Sequence, residues 1–130
     1  MDNKELFMMA VKARENAYCP YSDFRVGAAL LAEDGKIYTG VNVENSSYGA
    51  AICAERTAFV KAVSEGQRKF RAIAIAGGKG EELEERCWPC GICRQFMYEF
   101  SHELTVITGS STEDLSCMSL SQLMPEGFTL

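Results

Sequence analysis

The 130-residue sequence is short of several things, and each scarcity removes a class of protein. It holds only three prolines, and 24% charged residues stand against 47% hydrophobic ones, a balance that argues against collagen, coiled coil and intrinsic disorder. No stretch approaches the roughly 20 apolar residues that a membrane-spanning helix needs. Met1 to Ala17 lacks a basic start followed by an unbroken apolar block, so no secretory leader is expected. Basic residues are in deficit, with 13 Lys and Arg against 18 Asp and Glu for a net charge of −5. A chain that grips duplex nucleic acid needs clustered Lys and Arg instead. The expectation is a cytoplasmic protein with neither nucleic acid nor a membrane as partner, and a small neutral or weakly charged substrate stays open to it. Histidine is nearly missing too: His102 stands alone after a helix end and reads as a capping or surface residue, not a ligand.

What is present suits one domain spanning 1–130, long enough to bury roughly two-thirds of its unfolded surface. Leu6, Met9, Ala10, Ala13 and Ala17 follow the spacing of one helical face, and Asp2 with Glu5 forms a capping box ahead of them. Val26 to Ala32, the turn pair Asp34-Gly35, and Ile37 to Val43 predict a hairpin. A helix over 53–64 follows and stops at Gly66, then a strand over 70–76 closed by Gly77-Gly78. The segment 79–86 carries four glutamates and reads as a solvated loop. Pro89 introduces a helix to about Phe100, and 104–108 is a short strand. The stretch 115–124 suits either a last strand or a short helix. Helices alternating with strands, the first two strands paired as a hairpin, predict an α/β fold with a mixed sheet.

With no export signal expected, the six cysteines are expected to stay reduced, as ligands, nucleophiles or core fillers. Cys90 and Cys93 sit three apart at a predicted helix start, so both sulfurs can meet one ion, and the helix N-terminus favours the thiolate. Cys53 opens the preceding helix in the same way, followed by Glu55. Two such helix starts facing one another bring three thiolates and a carboxylate to one point. Three ligands leave a position open for water, the arrangement of a catalytic zinc, which lowers the pKa of bound water to about 7. Glu55 then handles the proton. Arg56, three residues after Cys53, is placed to hydrogen-bond the thiolates and offset their charge. The pattern Cys53-Ala-Glu55 with Pro89-Cys90-Gly-Ile-Cys93 matches the Cys₃ form of the zinc deaminase signature.

The likeness extends along nearly the whole chain. The runs from Tyr18 to Leu30 and from Gly40 to Tyr48, then Cys-Ala-Glu-Arg at 53–56 and Pro-Cys-Gly-Ile-Cys-Arg-Gln at 89–95, resemble in content and order the small, homotetrameric cytidine deaminases. That resemblance implies a three-layer α/β/α fold with a mixed five-stranded sheet, and conversion of cytidine or deoxycytidine to the uridine product and ammonia. It implies one zinc per subunit on Cys53, Cys90 and Cys93, with Glu55 as the proton shuttle. Phe24 resembles the aromatic that stacks on the pyrimidine, and Asn42 and Glu44 resemble the pair that reads the ribose. Ala54 falls among the substrate-contacting positions. Tyr48 resembles a subunit-contact residue reaching a neighbour's site, and Phe128 a late aromatic that closes a neighbouring pocket. Cys87 and Trp88 depart from the family pattern, since a small residue is expected before Pro89.

Other readings of these residues exist. Cys87, Cys90 and Cys93 form part of an iron–sulfur spacing, but Phe96 stands where the fourth cysteine belongs. A closed structural zinc on Cys53, Cys87, Cys90 and Cys93 leaves Glu55, Asn42 and Glu44 without a joint role. A deaminase of a modified cytosine nucleoside such as blasticidin S would share the fold. An editing enzyme for polynucleotides would need a basic stripe that is missing. Cys19 and Cys117 have no ligand-spaced partner and read as packing residues.

Overall fold

The computed structural model describes residues 1–130. The element order is α1 (Asn3–Ala13), β1 (Phe24–Ala32), β2 (Ile37–Val41), α2 (Ala54–Ser64), β3 (Phe70–Lys79), α3 (Gly91–Tyr98), β4 (Thr105–Thr108), β5 (Ser116–Ser119) and α4 (Leu120–Leu123). Helix α1 begins where its capping box directs: the Glu5 N–H donates to Asp2 Oδ1 at 2.8 Å, and the Asp2 N–H donates back to Glu5 Oε1 at 3.4 Å. The hairpin turns at Asp34-Gly35, with Gly35 at φ +95°, a conformation that glycine adopts without steric cost. Asp34 Oδ1 accepts from the Lys36 N–H at 3.0 Å and fixes the return strand.

The five strands lie in the order β2-β1-β3-β4-β5. All neighbours are antiparallel except β3 and β4, which the crossover through α3 makes parallel. Alternation along the strands divides the core in two. Leu30, Ile73, Ile75 and Val106 face α2 and α3, while Ala29, Ala72, Ala74 and Ile107 face Leu6, Phe7 and Ala10 of α1. The result is a three-layer α/β/α arrangement. Phe59 of α2 anchors its layer among Phe70, Phe100 and Phe96, with ring centroids 4.7, 5.6 and 6.2 Å away.

Two close approaches set the position of the helices. A Cβ on Gly40 would lie 2.5 Å from Ala54 O and 2.5 Å from Ala58 N, so α2 rests on β2 backbone to backbone. On the opposite face, a Cβ on Gly27 would meet Ala10 O at 2.1 Å. Arg14, just after α1, is buried and donates to the carbonyls of Arg25, Gly78, Gly80 and Glu82 at 2.8–3.2 Å, tying α1 to the far end of β3.

The structure refines the sequence reading in several places, beginning with β1, which starts at Phe24 and not Val26. Strand β3 does not close at Gly77-Gly78 but runs through them to Lys79. These glycines are needed for space: a Cβ on Gly78 would lie 2.1 Å from Glu82 O, and one on Gly77 would lie 2.6 Å from Cys87 Sγ. Strand β2 ends at Val41 instead of Val43, because the Asn42 side chain takes over pairing with β1. The ambiguous stretch 115–124 is both alternatives in turn, β5 and then α4, the latter started by a Ser119–Gln122 capping box.

Candidate active site

Helices α2 and α3 present their N-termini to one spot, and each is entered by a cysteine in extended conformation, Cys53 at ψ 156° and Cys90 at ψ 170°. Neither side chain caps its own helix, so the first-turn N–H groups stay free to polarise whatever lies ahead of them. Cys93, fully buried in the first turn of α3, completes a group whose three Sγ atoms lie within 4.8 Å of one another. Cys53 and Cys90 Sγ are 3.8 Å apart. Two sulfurs on a tetrahedral zinc with Zn–S of about 2.3 Å stand about 3.8 Å apart, so the donor set fits that ion. The Cys93 hydrogen bond, and after it Arg56, hold the Cys53 thiol down at about 5, while that same bond raises Cys93 well above the thiol range. A thiophilic divalent cation held by Cys53, Cys90 and Cys93 would take the place of the shared proton.

Glu55, only 4% exposed, lies beside this group. Burial pushes its carboxyl up to about 7, and the negative charge of Cys53 adds to the rise. Arg56 Nη2 lies 3.7 Å from Cys53 Sγ, as its spacing along α2 predicts. Burial works against the guanidinium charge, but Cys93 and Cys53 outweigh it and hold Arg56 charged. Its Nε is buried without a partner.

The group opens into a cavity of about 480 Å³ whose lining is mostly apolar. Phe24, Asn42, Glu44, Tyr48, Cys53, Ala54, Glu55, Arg56 and Cys90 all contribute, so the structure brings together almost every residue singled out from the sequence. Asn42 and Glu44 lie beyond the end of β2, and each also holds the backbone. Asn42 Oδ1 accepts from the Val26 N–H at 2.9 Å and its Nδ2 donates to Phe24 O at 2.7 Å. Glu44 Oε1 accepts from the Tyr21 and Ser22 N–H groups at 2.9 and 3.2 Å. The Ser22 hydroxyl first, then these N–H groups, keep the Glu44 carboxyl below the usual carboxylate range. Both side chains keep hydrogen-bonding capacity for a ligand, a second amide hydrogen and further carboxylate lone pairs.

Cys87 stands outside the three-sulfur group, so a four-cysteine cage is not assembled. Its N–H donates to the buried Thr108 Oγ1 at 3.0 Å, and that hydroxyl donates to Ile75 O at 2.8 Å. Burial, and then the charge of Glu55, push the Cys87 thiol up to about 12 and keep it neutral. Cys87 and the half-buried Trp88 form part of the cavity wall. Ser22, Val26 and Ile92 also line it; they lie inside the runs 18–30 and 89–95 but were given no role of their own from the sequence. Phe128 lies outside this cavity, 65% exposed, with its carbonyl accepting from Gln95 Nε2 at 3.1 Å. Tyr48 is at the cavity edge with 89% of its surface free. His102 is exposed, stacks on Tyr98 at 4.0 Å and is not part of the sulfur group, as its position after the helix predicts.

The model of the cytidine and deoxycytidylate deaminase zinc-binding region matches residues 1–109. The cytidine deaminase of Sporosarcina psychrophila is 47% identical over 130 residues, 99% of this chain and 93% of that one. The cytidine deaminase of Halalkalibacterium halodurans is 46% identical over 99% of this chain and 96% of its own. Among solved structures, the cytidine deaminase of Burkholderia pseudomallei superposes with a TM-score of 0.90 at 44% identity, covering 98% of this chain and all of that one. The cytidine deaminase of Mycobacterium tuberculosis gives a TM-score of 0.84 at 37% identity, covering 100% and 99%.

Proposed function

The chain belongs to the cytidine and deoxycytidylate deaminase family, and from that premise we propose how its residues deaminate cytidine and 2′-deoxycytidine to the uridine products and ammonia. The reaction is hydrolytic, and the cofactor is zinc. One observation carries the assignment of roles: a buried Glu55 and two of the three clustered sulfurs, those of Cys53 and Cys90, line the same cavity as Phe24, Asn42 and Glu44. Cys53, Cys90 and Cys93 would hold the ion, which when bound would supply the Lewis acidity that makes water nucleophilic at neutral pH.

The pyrimidine stacks on Phe24, a contact of about 1–3 kcal/mol for a base on an aromatic ring. Asn42 and Glu44 hold the ribose, Glu44 on the 3′-hydroxyl, and Ala54 lies against the base beside the catalytic carboxylate. Glu55 takes a proton from the attacking water and delivers it to N3 as the oxygen adds to C4. It then takes the proton of the new C4 hydroxyl and passes it to the exocyclic amine; C4=O forms as the C4–N bond breaks, ammonia leaves, and N3 keeps the first proton. Arg56 offsets the negative charge of the sulfur group. The exposed Tyr48, Ile92 and Phe128 support a homotetramer with shared sites, in which Tyr48 and Phe128 complete neighbouring cavities. A cytoplasmic role in pyrimidine salvage follows from that chemistry. No helix is long and apolar enough to cross a membrane.

The test is absorbance-monitored turnover of cytidine by wild-type and Glu55→Gln protein, with zinc quantified on both. The variant should keep its zinc and lose at least about a hundredfold in rate. Wild-type protein that binds zinc but leaves both nucleosides untouched would overturn the substrate assignment, and modified cytosines would then be screened.

A further inference from the structure

Between the two proposed recognition elements lies a residue with no assigned task. The Ser22 hydroxyl donates to Glu44 Oε2 and accepts from the Phe24 N–H at 3.0 Å. The Ser22 N–H also donates to Glu44 Oε1 at 3.2 Å, beside that of Tyr21 at 2.9 Å, so the carboxylate is gripped at both oxygens. The next residue, Asp23, sits at φ 58°, which a residue with a Cβ adopts only where its surroundings hold it. Here the Asp23 N–H donates to Cys19 O at 2.9 Å, and its carbonyl accepts from the Gly80 N–H at 3.1 Å. The turn is thus fixed at both ends, and the Ser22 side chain lines the cavity between Phe24 and Glu44.

We propose that Ser22 is a positioning residue that joins the Glu44 carboxylate and the backbone of Phe24 into one rigid unit, so that sugar contact and base stacking are set before the nucleoside arrives. This rests on the reading of Glu44 and Phe24 given above. Glu44 has no cationic partner, and Oε2 has Ser22 as its protein donor. Removing the hydroxyl leaves only the two N–H bonds to Oε1, frees the carboxylate to rotate, and leaves the first N–H of β1 without its acceptor. Ordering such a side chain then falls to the substrate, and binding weakens. The reacting C4 end of the cavity, around Glu55 and the sulfurs, is not touched by Ser22.

The experiment measures kcat and KM for wild-type, Ser22→Ala and Ser22→Thr protein on cytidine and on 3′-deoxycytidine, with zinc content and unfolding midpoints recorded. For Ser22→Ala, KM for cytidine should rise about three- to tenfold with kcat changed far less, the cost of ordering one side chain. The rise should be smaller for 3′-deoxycytidine, which offers Glu44 no 3′-hydroxyl, and Ser22→Thr should restore the wild-type KM. Because Ser22 is solvent-exposed, neither substitution removes core packing. An unchanged KM in Ser22→Ala, or an equal fall in kcat and unfolding midpoint without rescue by threonine, overturns the proposal. If wild-type protein fails to distinguish the two nucleosides, the reading of Glu44 as the sugar contact is what has failed, and the proposal goes with it.

Discussion

A methyl group added at Gly40 tests whether the catalytic geometry depends on how close α2 lies to the sheet. The new Cβ would stand 2.5 Å from Ala54 O and Ala58 N, whereas ordinary contact begins near 3.4 Å, so α2 has to retreat by about 0.9 Å. The atoms in the way are helix backbone and cannot rotate aside. Cys53 is the cap of that helix and Glu55 lies in its first turn, so both move relative to Cys90 and Cys93 on α3. Overpacking of this kind costs about 1–3 kcal/mol of stability. A misplacement near 1 Å at a reacting centre costs about a hundredfold in rate. Turnover of cytidine by Gly40→Ala should fall by that order while the protein still folds, as followed by urea unfolding. Gly35→Ala is the matched control. Its Cβ meets nothing within 4 Å, but its φ of +95° makes alanine unfavourable by about 1–2 kcal/mol, far from the cavity. It should lose stability and keep its rate. A Gly40→Ala protein with full zinc and a kcat/KM within about threefold of wild type would refute the reasoning.

Other consequences are open to direct measurement. Phe59→Ala removes a fully buried ring from contact with three others and should lower unfolding stability by about 3–5 kcal/mol in urea titrations, without changing zinc content. Cys53→Ser and Cys93→Ser should bind zinc weakly or not at all by elemental analysis, whereas Cys87→Ser, outside the sulfur group, should bind as wild type does. Asp114 is held below the usual carboxylate range chiefly by the Ser110 hydroxyl, and after it by the Ser110 and Ser111 N–H groups. A carboxylate depressed on folding stabilises the fold above its unfolded pKa and loses that contribution as pH falls through the folded value. The instability of Asp114→Asn relative to wild type should therefore be present at neutral pH and shrink in acid; a difference that grows on acidification contradicts this.

Features set by neighbours in the chain were legible in the sequence. The Asp2–Glu5 capping box, the Asp34-Gly35 turn and the spacing of Cys90 and Cys93 each depend on residues three apart or fewer, and each stands as read. What was missed depends on contacts between distant segments. Gly77-Gly78 has the composition of a turn, yet it serves as strand because the Cys87 and Glu82 segments fold against it. Asn42 and Glu44 were identified as ligand contacts, but their second task, closing the end of β1 and the turn at 21–22, needs partners 16 to 23 residues away. Sequence periodicity carries no trace of such bonds. The three-sulfur group itself was legible because helix starts are local signals, two of them carry cysteine, and the spacing matches the zinc deaminase signature.

Trp88 departs from the pattern that precedes Pro89, and it is also the only tryptophan in the chain. With its indole in the cavity wall, the protein's tryptophan emission originates at the site and nowhere else. A nucleoside entering the cavity changes the polarity and collisional quenching around that one fluorophore. Occupancy by substrate, product or inhibitor therefore becomes an optical signal intrinsic to the unlabelled protein, free of background from the remainder of the fold.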